Sequence, residues 1–251
     1  MSADWQALQA ELDRWQADGK TIRFWLRDDD AVAPSEALDR LISLSEAHAA
    51  PVLLAVIPRG ATEALAKRLR DAPTITACTH GYAHLNHAPS TEKKQELGAH
   101  RPLEDITEEL RDGASRLHDL FGMRLAPVLV PPWNRIAPDV IAQLPALGFR
   151  GLSAFGDKGA SGAPEGLTLL PTHLDIMDWH GTRGGRPHGD LVAELVQRLA
   201  AKRVNGDTTV GILAHHLVHD EQAWSFLSDL LRITAAHPAA RWVDIGNLLQ
   251  R

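Results

Sequence analysis

The chain has 251 residues, 44% of them hydrophobic and 23% charged, a balance that can bury a full core and that excludes a disordered chain. Its formal charge of -6 speaks against a surface built for phosphate backbones, so no nucleic-acid partner is expected. One cysteine, Cys78, cannot form an intrachain disulfide, and the opening Met-Ser-Ala-Asp-Trp-Gln lacks the basic and apolar regions of a signal peptide. Apolar runs such as Leu125 to Pro132 are far shorter than the roughly 20 residues that span a bilayer, so a cytoplasmic protein with no membrane partner is expected.

The elements follow in chain order. Trp5, Leu8, Leu12 and Trp15 recur at spacings of three and four, which predicts an amphipathic helix over Asp4 to Ala17 that Gly19 ends. Thr21 to Leu26 reads as strand, Ser35 to Ala49 as helix, Pro51 to Ile57 as strand and Ala61 to Arg70 as helix. Thr74 to Cys78 is strand, and Pro102 to Phe121 a long helix closed by Gly122. Leu125 to Val130, Gly151 to Ala154, Leu167 to Thr172, Thr208 to Ala214 and Arg241 to Val243 read as strands. Ala137 to Leu147, Leu191 to Val204 and Gln222 to Ala236 read as helices.

Strands alternating with helices of this length predict parallel β-α-β units, about seven of them, enough to close or nearly close a barrel. The expected fold is α/β, a distorted or incomplete (β/α)7-type parallel barrel in a single domain, with an open doubly wound sheet as the other topology this alternation permits. An N-terminal amphipathic helix over 1–20 is expected to precede one main domain over 21–251. Two loops are longer than such units need: Gly81 to Arg101, polar and rich in His, is expected to carry function, and Phe155 to Gly166, rich in Gly and Ala, is expected to be flexible.

Chemistry in parallel barrels gathers where strands end. Phe24-Trp25-Leu26-Arg27 runs into Asp28-Asp29-Asp30, and the third strand runs into Thr79-His80-Gly81-Tyr82-Ala83-His84. Two imidazoles four residues apart would point the same way on one turn of helix. Two His and one Asp form a facial set of N and O donors that leaves room for water and substrate, the requirement of a hydrolytic metal site. A solvated acidic turn and a chance pairing among 13 His are the bland alternatives.

Together these residues resemble the polysaccharide deacetylases of carbohydrate esterase family four, the NodB-homology domain, whose signature is five short motifs in fixed order. The resemblance runs from Thr21 to Leu217. The first motif, an Asp pair at a strand end, aligns with Asp29 and Asp30, implying Asp29 as catalytic base and Asp30 as metal ligand; a shift by one residue would make them Asp28 and Asp29. The second, a His pair four apart, implies His80 and His84 as the other ligands, with His87 a neighbour. The third is Arg-x-Pro followed by an aromatic. Here Val130-Pro131-Pro132-Trp133 keeps the prolines and the aromatic, but Val130 replaces the Arg that helps orient the base; Arg27 or Arg135 could substitute. Pro132 and Trp133 would support the substrate and the oxyanion. Asp175-Ile176-Met177-Asp178-Trp179 resembles the fourth motif, with Trp179 as an apolar wall and Asp175 or Asp178 positioning polar groups. Leu213-Ala214-His215 matches the fifth, implying His215 as general acid, with the adjacent His216 as second choice.

The resemblance implies a metal-dependent hydrolase that removes an acetyl group from an N- or O-acetylated saccharide, through water attack with an Asp base and a His acid. Zinc is the expected cation, with cobalt, nickel or iron as alternatives. An amidohydrolase acting on a small non-sugar amide or cyclic ureide is the rival within hydrolysis; a non-catalytic metal- or sugar-binding protein is the rival outside it. The partner is thus a small saccharide or amide, and homo-oligomerisation is left open. The stretch Asn86 to Arg101 lies outside the family pattern and reads either as a solvated loop or as a lid that brings Lys and Arg to an anionic group.

Overall fold

A computed structural model describes residues 3–156 and 163–249 of the chain. The elements run α1 (Ala3–Ala17), β1 (Ile22–Ala31), α2 (Glu36–Ala47), β2 (Val52–Val56), α3 (Glu63–Arg70), β3 (Ile75–His80), α4 (Leu103–Phe121), β4 (Leu125–Val130) and α5 (Pro138–Gln143). They continue as β5 (Gly151–Leu152), β6 (Thr168–Leu169), β7 (Leu174–Asp175), α6 (His188–Asn205), β8 (Thr209–Ala214), α7 (Glu221–Ala235), β9 (Ala240–Trp242) and α8 (Gly246–Leu249). The chain groups into two compact units, one of Met1–Asp28, Ser35–Val52 and His173–Asp244, the other of Asp29–Pro34, Leu53–Thr172 and Ile245–Arg251.

In the first unit β1 pairs in parallel with β8, from Arg23 opposite Thr209 to Asp28 opposite Ala214, and β8 pairs in parallel with β7. The start of β1 also carries β9, with Phe24 opposite Trp242. Helix α1 packs on α6, and its Trp5, Leu8, Leu12 and Trp15, the face that the helical spacing predicts, are buried. At its edge the buried Glu11 accepts from Arg203 Nε at 2.9 Å and from Arg14 at 2.9 Å. Ser35 caps α2 by accepting the Leu38 N–H at 3.1 Å, and Asp220 caps α7 by accepting the Ala223 N–H at 2.9 Å.

In the second unit the strand order is β2-β3-β4-β5-β6. The β3–β4, β4–β5 and β5–β6 ladders are parallel, and the β3–β4 register slips between Ala77 and Thr79. All five residues of β2 are buried, as strands covered on both faces by crossover helices require. Leu97, Ile106, Leu110, Leu129, Val140, Leu144 and Phe149 form the core that holds α4 and α5 against this sheet.

The α/β class and the parallel strands are those expected, of the distorted (β/α)7 kind. Two boundaries and two short elements differ for physical reasons. Strand β1 was expected to stop at Leu26, ahead of the acidic run, yet it continues to Ala31 with Asp28 and Asp29 buried. Helix α5 stops at Gln143 because Pro145 lacks an N–H and restricts the residue before it. The two-residue strand β7 and the short α8 carry too little pattern to be read from sequence. Of the loop expected to be flexible, residues 157–162 lie outside the described residues.

Candidate functional site

Asp30, His80 and His84 come together in the second unit, with one potential ligand atom of each lying within 4.8 Å of the others. Strand β1 delivers Asp30 with a φ of 77°, a left-handed backbone that a non-glycine residue adopts only at a cost. His80 is the last residue of β3 and is 2% exposed. His84 stands in the following loop with a φ of 57°. The four-residue spacing therefore works through a tight loop and not through the helical turn it suggests. Among the described residues, Trp133 (φ 55°) and Asn134 (φ 58°) share this left-handed backbone beside the same site. Such strained positions persist where surrounding structure fixes them, and they gather at functional sites.

The hydrogen bonds decide what the cluster can hold. His80 Nδ1–H donates to the Val130 carbonyl at 3.0 Å, which leaves Nε2 with its lone pair directed at Asp30 Oδ1, also at 3.0 Å. His84 Nε2 lies 3.3 Å from that same oxygen. Lone pairs that face each other at this distance need a cation between them, either a proton or a metal ion. Burial disfavours the His80 cation, but the Asp30 bond and the charges of Asp29 and Asp30 outweigh burial and raise its pKa. That of His84 is lowered, by burial first and then by the charge on His80. An imidazole that donates one nitrogen to a backbone carbonyl and presents the other to an open cluster is the usual support of a metal ligand. Two imidazoles and a carboxylate suit a first-row divalent ion. The cluster fits such a cation.

Asp29 is 2% exposed and adds charge next to this cluster without being one of its three converging donors. Val130, which stands where an Arg was expected, contributes through its backbone: its carbonyl accepts from both His80 and the Gly81 N–H, the latter at 3.0 Å. Of the two cations considered as substitutes, Arg135 donates to the Lys94 carbonyl at 2.9 Å, and Arg27 is fully buried in β1. Pro132 is buried, and the Trp133 ring lies 4.3 Å from the His84 ring.

The loop from Gly81 to Arg101 folds back on itself around a residue that the sequence did not mark. Glu96, 1% exposed, accepts the backbone N–H groups of Tyr82 at 3.0 Å, Ala83 at 2.8 Å and Leu85 at 3.1 Å. A buried carboxylate fourteen residues beyond its first partner has no short-range signal. The apolar Leu97 beside it, fully buried, is a signal that could have shown this loop entering the core. Of the cations in this loop, Arg101 pairs with Glu109, and Lys94 lies 5.9 Å from the Trp133 ring.

The remaining candidates lie in the first unit. His216 is buried, and both its ring Nδ1 and its backbone N–H reach the buried Asp28 carboxylate, the latter at 2.8 Å. His215 is 8% exposed, and its ring meets the Trp179 ring edge-on at 4.6 Å. Asp175 holds that indole by accepting its Nε1–H at 2.8 Å, as well as the Met177 N–H at 3.0 Å. Asp178 is engaged in its own turn by the Thr182 and Gly181 N–H groups, which hold its carboxyl below the ordinary range. Two residues the sequence reading passed over complete this group. His219 accepts the His215 N–H at 3.2 Å, and Trp224 lies edge-on to the His219 ring at 4.6 Å.

No family model and no curated protein matches the chain. Solved structures do. A polysaccharide deacetylase from Mycobacterium smegmatis, described there as putative, matches with a TM-score of 0.72 at 17% identity, over 93% of this chain and 90% of that one. A family 4 carbohydrate esterase from Streptomyces lividans in complex with acetate matches with a TM-score of 0.60 at 14% identity, over 89% and 93%. A pseudoenzyme of the same esterase family from Bacillus anthracis matches with a TM-score of 0.60 at 16% identity, over 92% and 66%. The chain therefore has the fold of the polysaccharide deacetylases and family 4 carbohydrate esterases.

Proposed function

We propose that the protein is a metal-dependent deacetylase of a small acetylated saccharide. The observation that carries the reading is the convergence of His80 Nε2 and His84 Nε2 on one oxygen of Asp30, with the opposite nitrogen of His80 committed to a carbonyl. The fold shared with deacetylases and esterases supports it. Asp30, His80 and His84 would hold the cation, with zinc first and cobalt, nickel or iron as alternatives. When bound, such a cation supplies Lewis-acid polarisation of a carbonyl and acidification of water.

The chain's own residues supply the rest. Asp29, a buried carboxylate that follows Asp28 and precedes Asp30 on β1, takes the proton of the attacking water. A backbone N–H near Trp133 supports the developing oxyanion, a contribution of about 3 to 4 kcal/mol for one preorganised donor. His215 protonates the leaving group, and Trp179, fixed by Asp175, offers an apolar wall beside it. His215 is preferred to His216 because the His216 ring is already bonded to Asp28. The same pairing favours the register in which Asp29 is base and Asp30 is ligand.

The test begins with elemental analysis of the purified full chain beside His80→Ala and Asp30→Ala, followed by acetate release from acetylated saccharides and small amides. One equivalent of transition metal in the wild type, absent from both variants, and acetate release only from sugars support the reading. Metal that survives both substitutions overturns the site. Turnover of small amides alone moves the assignment to an amidohydrolase. The matched pseudoenzyme and the missing Arg at Val130 make a binding protein without turnover the second reading; it predicts metal without acetate release.

A further inference from the structure

The Tyr82–Leu85 segment holds His84 at a φ of 57°, a left-handed backbone that a non-glycine residue keeps only where its surroundings fix it. We infer that Glu96 is the positioning residue that sets it, acting as an internal anion whose two oxygens take three N–H groups of the ligand loop. This rests on the metal reading of Asp30, His80 and His84.

Four observations carry the inference. Glu96 Oε1 accepts from Ala83 and Leu85, the residues on either side of His84, and Oε2 accepts from Tyr82. Three backbone donors turned toward one point form a concave anion site, here filled by a residue of the same chain. Gly81 makes room for it: a Cβ there would lie 2.0 Å from Glu96 Oε2 and 2.5 Å from Pro132 Cγ, and its φ is 54°. Leu97 then anchors the carboxylate's backbone. It is fully buried in the core, bridges to Ile136, and accepts the Ala137 N–H at 2.8 Å. The carboxylate is therefore held from the core side before any ligand arrives, and the loop is shaped around it. Outer partners of this kind orient a ligand and set its affinity.

Two measurements on the full-length chain test this, amide hydrogen exchange of the metal-free protein and cobalt(II) titration followed by visible absorption. In Glu96→Ala, exchange at Tyr82, Ala83 and Leu85 accelerates and the cobalt dissociation constant rises about 10- to 100-fold. In Glu96→Gln the rise is smaller, about tenfold, because only one of its two terminal atoms still accepts; this variant carries the test if the alanine chain does not fold. Unchanged cobalt affinity in a folded variant, even with a lowered unfolding midpoint, reduces Glu96 to a structural residue and overturns the inference. A wild-type chain that binds no cobalt shows instead that the metal reading itself has failed, and the positioning role fails with it.

Discussion

Both units set histidines against a buried or half-buried aspartate, and they use the pairing in opposite ways. In the first unit Asp28 receives the His216 ring and the His216 backbone N–H together, so the carboxylate is satisfied by donors of a single residue. In the second unit Asp30 receives two imidazoles whose nitrogens converge on one oxygen, and a backbone carbonyl fixes the ring orientation of His80. A carboxylate with its donors in place stiffens a strand end, whereas one that faces the lone pair of His80, with His84 converging on the same oxygen, suits a cation. Residue type is the same in both; the difference lies in which nitrogen faces the oxygen.

The comparison breaks first on Asp29, which belongs to neither pair. Asp29→Asn is expected to lower acetate release by about 10²- to 10⁴-fold, the contribution of a general base, while cobalt affinity stays near that of the wild type. Loss of cobalt in this variant would place Asp29 among the ligands and move the register by one.

A smaller effect separates the two pairs by stability. His216→Ala removes one half of a buried pair and is expected to cost on the order of 3 kcal/mol in urea denaturation, with cobalt affinity retained. His80→Ala is expected to show the reverse pattern, loss of cobalt with a smaller loss of stability in the metal-free chain. If the two variants behave alike in both measurements, the contrast between a closed pair and an open cluster is wrong.

The mildest test uses pH. Burial, ahead of the neighbouring His215 and His216 charges, lowers the His219 pKa from 6.5 to about 4. The unfolded chain takes up this proton near the ordinary value and the folded chain only near 4. The stability this group contributes is therefore complete above the ordinary value and is lost as pH falls toward 4, by on the order of 2 to 3 kcal/mol. His219→Gln should flatten the stability profile across that window; a slope as steep as that of the wild type would show that His219 takes up its proton at the same pH in the folded and unfolded chain.

Much was legible without coordinates. Apolar periodicity gave the alternation of strand and helix, because a helix face and a parallel strand each need a distinct repeat of buried side chains. The ordered motifs brought Asp30, His80 and His84 forward as one set, and the structure places them together. The end of β1 was misread because strand propensity counts Asp as unfavourable, and only the pairing of Asp28 with His216, 188 residues away, explains how that carboxylate stays inside a strand. The helical explanation of the His80–His84 spacing gave way to a loop for a similar reason. Its shape is set by Glu96 and Gly81, whose contact is one of tertiary packing.

The sequence by itself determined the α/β class, the parallel strands and the His80–His84 pair with an acidic strand end beside it, since these depend on local repeats and on residue chemistry. Tertiary structure alone decided which aspartate joins the imidazoles, which histidine is tied up in a buried pair, and how His84 is held in place. Those outcomes depend on which donor meets which acceptor across long stretches of chain, and a buried polar group is stable only once that partner is in place.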